Sequence, residues 1–129
     1  GLAIRYASAS PDQEKLQAEV TEILEKECAA AKAADVQTWN RPSDEFHLVF
    51  YRYCTNSRLA ESAERLRSGI SIFSNQYCRE TVIQTRIDEE HLAIFQAYKD
   101  GDIEKAVQMM KTHLNDSLNY ALRFLPKTF

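Results

Sequence analysis

The sequence predicts an all-α antiparallel bundle of about six helices. Three observations carry that expectation. Apolar residues recur at the helical period along most of the chain, no stretch sustains the alternation of a strand, and only three glycines and three prolines punctuate 129 residues. That length is enough for one domain with its own core, here read as spanning 1–129.

The elements follow in order. Leu2 to Ala7 reads as the end of a helix whose start lies outside the sequence. Ser10-Pro11-Asp12-Gln13 is a start signal: Ser10 is placed to cap, Pro11 suits a first turn, and Gln13 is placed to complete a capping box. The helix that follows carries Leu16, Val20, Ile23, Leu24 and Ala31 on one face, with Glu and Lys on the other. Pro42 marks a boundary, and a helix from about Ser43 to Cys54 aligns Phe46, His47, Phe50, Tyr51 and Cys54. Thr55-Asn56-Ser57 is a break. Leu59, Ala63, Leu66, Ile70, Phe73 and Tyr77 then form a long stripe, with Gly69 inside it. A helix from Thr81 to Lys99 aligns Ile87, His91, Ile94, Phe95 and Tyr98. Asp100-Gly101-Asp102 turns the chain and Asp102 caps the last helix. That helix carries Ile103, Ala106, Val107, Met110, His113, Leu114, Ser117, Leu118 and Ala121, and ends before Pro126.

Charge and composition exclude several function classes. Sixteen basic against nineteen acidic residues leave a net charge of −3, and no segment concentrates Lys and Arg. The basic footprint of a nucleic-acid binder is therefore missing. No apolar run approaches the roughly 20 residues needed to span a bilayer, and no signal peptide is recognisable, so a cytoplasmic protein is expected. Cys28, Cys54 and Cys78 are too widely spaced for a zinc ribbon or a redox pair, and read as reduced, buried thiols. No glycine-rich phosphate loop or nucleophilic triad is present.

The chemistry rests on the three histidines, His47, His91 and His113, which all fall on apolar stripes of different helices. An inward imidazole needs a partner, and three on three helices point to a shared one. A divalent metal held by neutral imidazoles is the economical choice. Zn, Ni, Cu, Fe and Co all suit imidazole, and three ligands leave at least one coordination position open. Asp44 and Asp88 precede His47 and His91 by three residues, a faint likeness to the Glu-x-x-His pairs of di-iron bundles. Both are otherwise read as first-turn or surface acids. A metal-dependent helical-bundle enzyme and a structural bundle with core histidines therefore stand as alternatives to a sensing domain. One ion per chain would favour the sensor, and two a dinuclear enzyme.

The ordered set of residues resembles the C-terminal effector domain (FCD domain) of FadR-type GntR transcription regulators. The stretch Asp35, Trp39, Ser43, Phe46-His47 is similar to the family's Asp-x-x-x-Phe-x-x-x-Asp-x-x-Phe-His. Asn56 and Leu59 match its Asn-x-x-Leu, and Glu90-His91, Ile94, Ala97, Gly101-Asp102, Ala106, Met110 and His113-Leu114 match its ending. The resemblance implies an all-α domain that binds a small carboxylate effector, with an aspartate and three histidines holding a divalent metal, Zn or Ni. His47, His91 and His113 carry over as ligands. The aspartate position is Ser43, and Asp44 lies one residue out of register, about 100° around the helix. With Ser43 in the aspartate's place, the site is expected to be three histidines with water and effector, or weakened, or empty. Arg67 is the expected anion partner of the effector, with Arg52, Arg65 and Arg79 as alternatives. The resemblance further implies a homodimer and a DNA-binding winged helix-turn-helix that precedes the domain and is not in this sequence.

Overall fold

The computed structural model describes residues 2–62, 65 and 78–123, with Ala121 described by its backbone alone. Helix α1 spans Leu2–Ser8, α2 Gln13–Lys32 and α3 Val36–Arg52. The described part of α4 covers 57–62. Helix α5 spans Thr81–Lys99 and α6 Ile103–Leu122. No strand occurs among the described residues. Helices α2 and α3 form one close pair, α5 and α6 another, and α2 lies against α5. Short connections make each pair antiparallel. The bundle is all-α, as the helical period predicts.

Both hairpin turns close in the same way. After α5 the Asp102 N–H donates to the Ala97 carbonyl at 3.0 Å, with Gly101 at φ +80°. After α2 the Asp35 N–H donates to the Ala30 carbonyl at 2.9 Å, with Ala34 at φ +55°. These are Schellman closures, and they need a left-handed residue where the chain leaves the helix. Glycine supplies it in the second turn, whereas an alanine is held there in the first.

Two helix boundaries and one buried face differ from the sequence reading. Helix α2 begins at Gln13 rather than at Pro11. Ser10 Oγ accepts the Asp12 N–H at 3.2 Å and closes the turn before the helix instead of capping it. Gln13 completes no capping box. Its Nε2 donates to the Ala7 and Ser10 carbonyls at 2.7 and 3.0 Å, and its Oε1 accepts from the Tyr98 hydroxyl at 2.7 Å. One side chain thus binds the open end of α1 to α5.

Pro42 lies inside α3 instead of at its start. The helix begins at the Asp35 cap, which accepts the Thr38 N–H at 3.3 Å. Proline removes one N–H but its φ is already helical. Fully buried Trp39 before it and Phe46 after it anchor both halves in the interior, so packing carries the helix through.

The third correction concerns α6. Ala106, Val107, Met110 and His113 face the core, but Leu114 and Leu118 are about half exposed, at 47% and 56%. They sit one residue beyond the buried register, and each residue turns about 100° on a helix. The cap expected at Asp102 is formed, its Oδ1 accepting the Lys105 N–H at 3.3 Å, and at the expected break Asn56 Oδ1 accepts the Arg58 N–H at 3.0 Å.

The main core joins Ile4, Leu16, Val20 and Leu24 to Phe46, Val49 and Phe50, and to Ile94, Phe95, Val107 and Met110. A smaller cluster sets Trp39 among Ala30, Ala31, Cys78 and Ile87. The three thiols are unbridged, and burial pushes Cys78 up to about 12, far from a reactive thiolate. None of the described helices is long and apolar enough to cross a membrane.

Candidate metal centre

His47 on α3, His91 on α5 and His113 on α6 converge. Their ligand atoms all lie within 4.8 Å of one another, and no other such group of His, Cys, Asp or Glu occurs among the described residues. The rings pack as a unit: His47 lies parallel to His113 at 5.3 Å between centroids, and His91 is edge-on to both. Phe46 stacks on His91 at 4.1 Å and sets the plane of that ring. His91 and His113 are buried, and His47 is half-buried.

Two carboxylates fix the protons of two of these rings. His91 Nδ1 donates to Glu27, 3.0 and 2.9 Å from its two oxygens. His113 Nδ1 donates to Glu90 Oε1 at 2.6 Å. An ionised carboxylate only accepts, so with Glu27 and Glu90 ionised each Nδ1 carries the hydrogen, and a ring that is neutral presents a lone pair at Nε2. Those two Nε2 atoms face each other at 3.1 Å. A proton on one Nε2 makes this contact an N–H···N hydrogen bond, and with both rings neutral in the Nδ1–H form two lone pairs meet where a cation would hold them together. Two nitrogens on one tetrahedral zinc would sit roughly 3.3 Å apart, given Zn–N bonds near 2.0–2.1 Å. The His91–His113 pair therefore suits a divalent ion, and the His47 side chain would move inward to complete the set.

The electrostatics favour the ligand form of the rings. Burial first, then the neighbouring histidines, push His47 well below its ordinary value. Burial and the proximity of His113 do the same to His91. Both are held as neutral imidazoles, the form that binds metals. Glu90 is held below the usual carboxylate range, chiefly by its hydrogen bond to His113.

Behind His91 lies a second layer that the sequence did not announce. Glu27 is fully buried on α2. It falls in the register Leu16, Val20, Leu24, Glu27, Ala31, so a charge interrupting the apolar stripe was the available signal. Glu27 shares a hydrogen bond with Asp88, and Asp88 Oδ1 accepts the Trp39 Nε1–H at 2.8 Å. Burial raises both acids, Glu27 to about 7 and Asp88 to about 8. Asp44 and Asp88 are both buried, which overturns their reading as surface acids. Neither joins the three-histidine cluster.

Ser43 is buried one turn before His47 on α3. Arg67 lies outside the described residues. Among its alternatives, Arg52 is paired with Glu45 and Glu19 at 2.7 and 3.4 Å, while Arg65 and Arg79 are exposed. A groove of about 450 Å³ between α5 and α6 reaches His113 and Glu90, with Arg86 at its rim.

Fold and site together define an all-α helical bundle whose three core-facing histidines are close enough to bind a metal ion. The chain belongs to the FCD domain family, whose model matches residues 1–116. FCD domains are ligand-sensing domains of regulators and not an enzyme family. No curated protein and no solved structure matches the chain.

Proposed function

We propose that this domain is the sensing part of a GntR/FadR-type transcription regulator and binds a small carboxylate in the bundle interior beside a divalent metal, Zn or Ni. The observation that carries the reading is the convergence of His47, His91 and His113, two of them with Nε2 atoms 3.1 Å apart. FCD family membership supports the sensing role.

In this reading the three imidazoles hold the ion, and the ion supplies positive charge with a position open to an oxygen ligand. Ser43 stands beside that position and contributes a neutral hydroxyl. Arg67 pairs with the effector carboxylate through its planar fork of donors. The effector alters DNA binding by an attached N-terminal domain only as far as its affinity differs between two arrangements of the bundle. The domain works as a homodimer, makes no DNA contact of its own and acts in the cytoplasm.

Metal analysis of the purified chain, with mass spectrometry of co-purifying small molecules, tests the site. One ion per chain is expected; two would favour a dinuclear enzyme, and none after zinc titration would remove the metal. Calorimetry of organic acids against wild type and Arg67→Ala tests the anion partner, and equal affinity in both removes Arg67. Gel-shift titration at low salt should show no complex with duplex DNA, because the phosphate-neutralising charge is missing. Analytical ultracentrifugation should show a dimer, and a monomer at high micromolar concentration would refute that part.

A further inference from the structure

A buried carboxylate needs a reason. Leu16, Val20 and Leu24 fill the same face of α2 with apolar side chains, and another would serve packing equally at position 27. Desolvating a carboxylate costs several kcal/mol unless its oxygens are paired. Glu27 is paired on both sides. It accepts from His91 Nδ1, and it shares a hydrogen bond with Asp88, which in turn accepts from the Trp39 indole at 2.8 Å. Two carboxyl groups in hydrogen-bond contact require a proton between them. His91 favours the ionised form of Glu27, so that proton belongs to Asp88. The chain therefore has one direction: Trp39 N–H to Asp88 oxygen, Asp88 O–H to Glu27 carboxylate, Glu27 carboxylate to His91 N–H.

We propose that Trp39, Asp88 and Glu27 form a positioning relay that keeps the His91 hydrogen on Nδ1 and aims a basic Nε2 into the centre, so that metal affinity is set from α2 and α3 as well as by the ligands. The proposal rests on the metal reading given above. A carboxylate behind a ligand imidazole raises its basicity, and loss of such a partner typically weakens metal binding about ten- to hundredfold. The relay leaves His91 one tautomer, and it makes Asp88 a donor whose charge plays no part.

Zinc affinity by chelator competition on the full chain tests each member. Glu27→Gln should weaken Zn²⁺ binding about ten- to hundredfold. Asp88→Ala should weaken it in the same direction, and Asp88→Asn should restore most of that loss, because an amide still donates to Glu27 and accepts from Trp39. Trp39→Phe should cost on the order of a few fold, the loss of one buried hydrogen bond from a network. Wild-type affinity in Glu27→Gln, or equal damage from Asp88→Asn and Asp88→Ala, would overturn the relay. Wild-type affinity in Trp39→Phe would overturn the Trp39 arm. Nitrogen-15 NMR of the metal-free protein gives a second readout, independent of any ion. His91 should carry its hydrogen on Nδ1 in wild type and in Asp88→Asn, and on Nε2 in Glu27→Leu. A wild-type His91 protonated only on Nε2 would overturn the proposal even if zinc binds. Failure of wild type to bind zinc would instead sink the metal reading and leave the tautomer to decide the relay.

Discussion

The Nε2 atoms of His91 and His113 face each other at 3.1 Å while both Nδ1 atoms are engaged by carboxylates on different helices. In the neutral Nδ1–H form each ring directs its proton outward and its lone pair inward. With His47 on α3 close by, the three rings are near enough to bind one metal ion.

The first prediction follows from that contact. A ligand that binds only the folded state stabilises it by about 2.7 kcal/mol at a hundred times its dissociation constant. Zinc at that excess should raise the melting temperature of wild type by several degrees. His113→Ala should lose most of this gain while leaving the metal-free protein folded. Differential scanning fluorimetry with and without chelator measures it, and an undiminished zinc shift in His113→Ala would remove that residue from the ligand set.

Ser43 sits one turn before His47 and is buried. A serine hydroxyl is a weaker ligand for a divalent ion than a carboxylate. Ser43→Asp should therefore tighten Zn or Ni binding, by at least about tenfold if the carboxylate reaches the ion. Chelator competition reads the change. Unchanged or weaker binding would show that position 43 does not face the ion.

The acids behind His91 give the metal-free protein a distinctive pH response. Asp88 is raised from 3.8 to about 8, first by burial and then by its hydrogen bond to Glu27. A group whose folded value is raised binds its proton more tightly in the folded state. Its contribution is full below pH 4 and is lost as pH rises toward 8. Asp88→Asn cannot titrate. Its stability relative to wild type should therefore grow by about 1–3 kcal/mol between pH 5 and pH 8, then level off. Urea unfolding across that range tests it, and a difference independent of pH would contradict the assignment of the proton to Asp88.

Much of this was legible in the sequence because helical periodicity is a property of the chain itself. The inward register of His47, His91 and His113, the break at Asn56, the cap at Asp102 and the Asp-Gly-Asp turn all follow from local rules. Glu27 was not found, because a charged residue on α2 reads as part of the solvated Glu and Lys face. Only the contact with His91 on another helix explains its burial. Pro42 failed for the same kind of reason: the local rule ends a helix there, and the anchoring of Trp39 and Phe46 overrides it. Leu114 and Leu118 are apolar but fall off the buried register of α6, and composition alone does not separate those cases. Arg67, chosen for its place one residue after Leu66 on the apolar stripe, lies outside the described residues.

The two hairpin turns supply the last prediction. Both use a 6→1 closure that needs a left-handed residue, and they differ in what fills it. Gly101 takes φ +80° with no Cβ to obstruct it, and no atom lies within 4 Å of where one would be. Ala34 takes φ +55° with its Cβ crowded against its own backbone, a strain of roughly 1–2 kcal/mol. Ala34 is exposed, so its methyl contributes little packing. Ala34→Gly relieves the strain, and the greater freedom of glycine in the unfolded chain takes back part of the gain. The net effect should be a stabilisation of about 0.5–1 kcal/mol. Gly101→Ala, imposing the same strain on the other turn, should destabilise by a similar amount. Equilibrium urea unfolding of both variants measures the pair. Destabilisation by Ala34→Gly would mean that the left-handed geometry at position 34 is not held in solution.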